Sequence, residues 1–198
     1  MEIMLDLETY STEPNASILV IGAIKFNRKD KITDLDNYDT FYRRIIPSSC
    51  VNIGLHVDPK TVEWWKHQSQ DAINEAIQNT DRIPIHQALH EFTEWFNRVI
   101  PGPSGTNRVI PGSRTTSGNT KIWGHGDDFD CVVLGSAYRA CGKEPPWKFW
   151  NTRDTRTLFD LANISMKDLP QDNAHHALHD AYRQIIGVRK SLDILRIK

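Results

Sequence analysis

Two carboxylates sit inside an apolar stretch at the head of the chain, Ile3-Met4-Leu5-Asp6-Leu7-Glu8-Thr9. Such a run reads as a buried strand, since its long and branched apolar side chains leave little to present to water. Residues two apart on a strand share a face, so Asp6 and Glu8 point the same way. Paired acids in a half-buried place repel each other and are costly to desolvate unless a cation lies between them. An Asp-x-Glu pair alone is more often a solvated strand edge than a ligand pair, so the metal expectation needs support from elsewhere.

Two later segments supply it. Near the middle lies Trp123-Gly124-His125-Gly126-Asp127-Asp128-Phe129-Asp130, and near the end His175-His176-Ala177-Leu178-His179-Asp180. In order, these are an Asp-x-Glu strand, a Phe-Asp opening a helix, and a His-x-Ala-x-x-Asp on a C-terminal helix. The series resembles the DEDDh 3′→5′ exonucleases of the DnaQ and RNase T type, within the ribonuclease H-like superfamily, and in particular the phage DexA-like branch. The likeness runs from Met1 to about Ile186. Asp6 and Glu8 match the first motif, Asp130 the second, and His175 with Asp180 the third. His125 departs from the pattern, because Asn often stands there, but an imidazole can still donate a hydrogen bond and is kept as a candidate substrate contact.

The resemblance implies one α/β domain over residues 1–198, a ribonuclease H-like mixed β-sheet flanked by α-helices. It also implies two Mg²⁺ or Mn²⁺ ions. Asp6 would be shared by both, Glu8 and Asp180 would complete the shell of one, and Asp130 would hold the other. Hard oxygen ligands select hard cations of this kind. On a helix, His175 and Asp180 stand about 140° apart, so they flank a site rather than share a stripe. That suits one metal ligand and one separate proton acceptor, with His175 reaching in if the helix start bends or is a loop. A neutral imidazole there can take the proton of an attacking water as general base.

Substrate contacts are expected at Leu7, Thr9 and Phe129, which the resemblance places at a terminal-nucleotide pocket, and at Trp64-Trp65-Lys66-His67. Aromatic residues beside basic ones stack bases and pair phosphates, yet on amphipathic grounds one of the two tryptophans faces the core and the other faces solvent or a cleft. Arg153 and Arg156 either touch phosphate or solvate a helix start. Several clusters have blander readings. His175, His176 and His179 could suggest zinc but lack a third soft ligand. His86 and His90 are four apart without the Glu of a metalloprotease motif, which leaves them solvated.

Along the chain, strands are expected at about 2–7, 17–26 and 38–46 as a meander. Helices are expected after Asp58-Pro59, around Ala72–Ile77, and over the apolar periodicity of Ile85 to Val99. A tandem duplication follows, Asn97-Arg98-Val99-Ile100-Pro101-Gly102 repeated as Asn107-Arg108-Val109-Ile110-Pro111-Gly112. Rich in Pro, Gly, Ser and Thr, residues 100–119 are expected to form a flexible surface loop, alternatively a flap gripping substrate through Arg98, Arg108 and Arg114. Lys121-Ile122-Trp123 reads as a strand, Asp127 or Asp128 as the cap of the helix carrying Asp130, Asp154 as the cap of the next helix, and 175–192 as the last helix.

Composition narrows the class. At 198 residues and 39% hydrophobic content, one substantial core is expected. A formal net charge of −1 excludes an overall basic footprint, so nucleic-acid binding must come from local patches and from cations at the acidic site. Cys50, Cys131 and Cys141, with no Cys-x-x-Cys, suit neither a disulfide framework nor a cysteine zinc site. No apolar run has membrane-spanning length and the acidic strand begins almost at Met1, so no membrane role and a cytoplasmic address are the simplest expectations. The function expected is a metal-dependent 3′→5′ exonuclease releasing nucleoside 5′-monophosphates from single-stranded DNA or RNA 3′ ends. The alternatives are a catalytically silent nucleic-acid-binding module of the same fold and an internally cutting ribonuclease H-like nuclease. The choice between ribose and deoxyribose, and that between a monomer and a homodimer, stay open.

Overall fold

A strand whose two faces are both apolar belongs inside a sheet, and the first strand, β1 (Glu2–Thr9), lies in the middle of one. The computed structural model describes residues 1–99, 120–171 and 175–197. The other strands are β2 (Ile18–Phe26), β3 (Thr40–Arg44), β4 (Lys121–Gly124) and β5 (Thr152–Asp154), and the order across the sheet is β3-β2-β1-β4-β5. The expected meander is present, β1 to β2 to β3 antiparallel, whereas β4 pairs parallel with β1 and β5 parallel with β4. The described helices are α1 (Pro47–Val51), α2 (Pro59–Trp65), α3 (Gln70–Ile73), α4 (Ile85–Val99), α5 (Asp130–Ala140), α6 (Thr155–Leu161) and α7 (Ala177–Ile194). Together they make the mixed α/β, ribonuclease H-like arrangement that the motifs imply.

The alternation of β1 sorts the two layers. Ile3, Leu5 and Leu7 pack with Leu89, Phe92 and Phe96 of α4 and with Val133, Leu134 and Ala137 of α5. Met4 faces the other way, into a layer with Phe159 of α6 and Ala181, Ile185 and Val188 of α7. Asp6 and Glu8 therefore share the α7 side of the sheet. Gly22, opposite Asp6 in the ladder, lets α7 come close, because a Cβ there would lie 2.6 Å from Ala177 Cβ.

Several local expectations are corrected. The third strand is shorter than 38–46, since Pro47 opens α1. The last helix begins at Ala177 and not at His175, whose φ of 62° is left-handed. Neither Asp127 nor Asp128 caps α5. Its N-cap is Phe129, with no side-chain cap bond. By contrast Asp58 and Asp154 cap α2 and α6 through backbone N–H groups, and Pro59 takes the first turn of α2. The 100–119 loop lies outside the described residues, but its first copy begins within α4. Arg98 there pairs with Asp39 at 3.3 Å and so does not ride on that loop. Among the described residues, no helix is long and apolar enough to cross a membrane.

Candidate active site

β4 stops pairing with β1 at Met4, opposite Trp123, and turns away at Gly124. The β1 edge beyond it is taken over by a side chain, for the Leu7 backbone N–H donates to Asp130 Oδ1 at 3.1 Å. Asp130, in the first turn of α5 and 3% exposed, is thereby drawn against the acidic strand. Its carboxylate also accepts from the backbone N–H of His125. Gly124 allows the approach, since a Cβ there would lie 3.0 Å from Asp130 Oδ2.

From the opposite side α7 brings two residues four apart. Gln184, 2% exposed, donates its Nε2 to Asp6 Oδ1 at 2.7 Å, and its own Oε1 meets no partner among the described residues. Asp180, one turn nearer the helix start, accepts from the His175 backbone N–H at 3.1 Å. That bond holds His175 in a backbone region that non-glycine residues enter rarely, His more often than most. The ligand atoms of Glu8, His175 and Asp180 lie within 4.8 Å of one another. The expected 140° separation is thus bypassed, because His175 stands on the turn before α7 and folds back over the site. Its ring meets Trp64 edge-on at 5.2 Å and Trp65 at 6.0 Å.

The adjacent tryptophans divide as amphipathic reasoning expects. Trp65 is 1% exposed and donates Nε1 to the Thr9 carbonyl at 2.9 Å, whereas Trp64 is 45% exposed beside His175. Thr9 itself is buried, its hydroxyl donating to the Ser11 carbonyl at 2.6 Å. Leu7 sends its side chain into the α4 and α5 layer, and Phe129 packs at the margin of that layer. For Leu7, then, the group near the acids is the backbone N–H. The imidazole of His125 is turned to Thr155, with Nδ1 2.8 Å from Oγ1, and packs near Phe159. His176 stacks on Tyr42 at 4.9 Å and lies 3.8 Å from Glu75, which takes it away from a three-histidine site.

Electrostatically the site is an excess of acid with little to offset it. Burial pushes the Asp6 carboxyl well above its usual range, and the charges of Asp130, Glu8 and Asp180 push it further, with Gln184 opposing. Glu8 is raised to about 8 by burial, then by Asp180 and Asp130. Asp130 is raised by burial despite the N–H groups of Leu7 and His125 and the charge of Arg156. Asp180 is also raised by burial, which His175 counters. Four carboxylates converging with one imidazole offer hard oxygen donors in a place where they repel unless cations join them. That donor set fits Mg²⁺ or Mn²⁺.

Gln184 is the residue that motif reading missed, although its spacing of four from Asp180 puts it on the same helix face. The family model described as the 3'-5' exoribonuclease Rv2179c-like domain matches residues 1–192. An exodeoxyribonuclease of Enterobacteria phage T4 is 20% identical over 224 aligned residues, which cover 96% of this chain and 88% of that protein.

Proposed function

Because the chain belongs to the 3'-5' exoribonuclease Rv2179c-like domain family, and so is a nuclease of exonuclease type, we propose that it hydrolyses phosphodiester bonds from the 3′ end of a single strand with the help of two divalent cations. The products are nucleoside 5′-monophosphates. The family's name concerns RNA and the phage relative's concerns DNA; a single-stranded end of either sugar serves as substrate.

The observation that carries this reading is the convergence of Asp6, Glu8, Asp130 and Asp180 with His175. Asp6, Glu8, Asp130 and Asp180 would hold Mg²⁺ or Mn²⁺. Bound divalent cations supply charge neutralisation and Lewis acidity toward a phosphate. The chain's own groups do the rest. Gln184 fixes the Asp6 carboxylate through its amide N–H. Leu7 and His125 fix Asp130 through backbone N–H groups. Asp180 fixes the backbone of His175, whose imidazole takes the proton of the attacking water. Trp64 offers a part-exposed ring beside His175 on which a terminal base can stack.

The test is hydrolysis of a 3′-labelled single strand in Mn²⁺ and in EDTA. Mononucleotides should appear only with Mn²⁺, and a circular single strand should survive. Full activity in Asp6→Asn or His175→Ala, or cutting of the circle, overturns the reading.

A further inference from the structure

Phe149 and Trp150 are 81% and 57% exposed, and Phe149 is the most exposed large hydrophobic side chain among the described residues. They occupy the 3₁₀ turn Phe149–Asn151 that leads into β5, with ring centroids 4.9 Å apart and planes at 82°. The turn is held from beneath. Trp147 is buried among Phe92, Phe96 and Tyr138, and the side chains of Thr152 and Arg153 donate to the carbonyls of Phe149 and Trp150 at 3.0 and 3.1 Å. Two large rings are therefore presented to solvent from a braced backbone, where folding alone would favour polar residues.

The surroundings are basic. Between residues 143 and 156 stand Lys143, Lys148, Arg153 and Arg156 against Glu144 and Asp154. Asp154 is taken up by the backbone N–H groups of Gly126, Arg156 and Thr157. Arg156 links this stretch to the acid cluster, since a Cβ on Gly126 would lie 2.8 Å from its Nη1 and its charge acts on Asp130.

We propose that Phe149 and Trp150 form a second base-stacking platform, on which single-stranded nucleic acid upstream of the cleaved end rests, with Lys148 and Arg153 beside its phosphates. The proposal rests on the nuclease reading above. Aromatic rings interleaved with cations are the means by which sequence-tolerant single-strand binding is built. Arg153 stands level with Met4 across β4, which puts Trp150 toward the Glu2 end of β1, with the acids beyond Met4. At ~3.3 Å per residue along a strand and ~4.8 Å between strands, the span from Trp150 to Asp6 is on the order of 20 Å. At ~3.4 Å per stacked nucleotide this is about six nucleotides, which a twelve-nucleotide strand covers and a three-nucleotide strand does not. A protein partner suits the patch less well. At ~150–250 Å² per aromatic side chain the two rings offer on the order of 300 Å², well short of the ~800 Å² that each partner buries in a stable interface.

The experiment compares full-length protein with Phe149→Ala/Trp150→Ala and with the stacking-competent Trp150→Phe. Binding of 5′-fluorescein oligothymidylates and oligouridylates of twelve and three nucleotides is followed by anisotropy in EDTA, and KM for the same strands is measured in Mn²⁺. The double variant should weaken binding of the twelve-nucleotide strand about tenfold or more relative to the three-nucleotide strand, with the same change in the KM ratio, while Trp150→Phe keeps most of the length preference. An unchanged ratio in a variant with an unaltered melting profile overturns the platform. So does a change in sedimentation with unchanged oligonucleotide binding, which would assign the patch to a protein contact. If the wild-type protein hydrolyses no strand, the nuclease reading falls, but the anisotropy ratio still decides the platform.

Discussion

A buried glutamine whose oxygen meets no partner among the described residues is a costly way to fill space between a helix and a sheet, and Gln184 is best understood through the carboxylate it holds. Its amide restrains Asp6 Oδ1, in the acid that the charges of Asp130, Glu8 and Asp180 surround. Gln184→Leu keeps approximate volume and removes the restraint. Groups of this outer kind are worth about 10- to 100-fold in metal affinity or activity, so Mn²⁺ titration by calorimetry should show weakening in that range, with little loss of folded stability. His175→Ala should behave differently, because a general base contributes about 10²–10⁴-fold to rate and little to cation affinity if its work is on the water. Single-turnover rates at saturating Mn²⁺ separate the two variants. The His175 substitution should lower the rate even when cations are saturating, whereas excess Mn²⁺ should largely rescue Gln184→Leu.

At the level of elements, the site depends on how closely the start of α7 approaches β2. Gly22 and Ala177 set that distance, for a methyl added at Gly22 would come within 2.6 Å of Ala177 Cβ and 2.8 Å of its carbonyl carbon. Gly22→Ala must push the first turn of α7 outward, and with it Asp180 and the preceding His175. Overpacking of this sort costs about 1–3 kcal/mol, or roughly 2–4 °C of melting temperature per kcal/mol for a chain of this size. Activity should fall more than stability, since the displaced turn carries two of the five site residues. Calorimetric melting together with hydrolysis rates will show whether the two losses part. The same scale explains the other side of the cleft, where an early-ending β4 leaves β1 N–H groups for Asp130.

Taken whole, the protein stores its acids at a cost that depends on pH. The folded-state pKa of Glu8 is raised from 4.5 to about 8, and those of Asp6 and Asp130 are raised too. A carboxyl held above its unfolded value stabilises the fold while protonated, so this contribution is fully present below about pH 4 and is lost as pH rises toward 8. The cation-free protein should accordingly melt lower at pH 8.5 than at pH 6, by about 4 °C or more. Mn²⁺ should remove most of the difference, because it binds the ionised carboxylates and displaces their protons. Melting curves at both pH values, with EDTA and with Mn²⁺, check the sign. A cation-independent profile would count against the four carboxylates acting as one site.

What could be read from the residue order follows mostly from short-range physics. Period-two alternation placed Asp6 and Glu8 on one strand face, helix periodicity found α4, and Asp58 and Asp154 marked their helix starts, whereas Asp130, His175 and Asp180 were singled out as candidates by the resemblance of the motifs in order. The folded structure alone decided how these meet. The bond from Leu7 to Asp130 spans 123 residues and that from Gln184 to Asp6 spans 178. No local preference encodes such separations; they arise when β4 ends early and α7 lies down across a glycine. The left-handed turn at His175, the inward lie of Leu7 and the outward aromatics at Phe149 and Trp150 belong to the same class, because each depends on what packs beside a residue and not on which residues precede it.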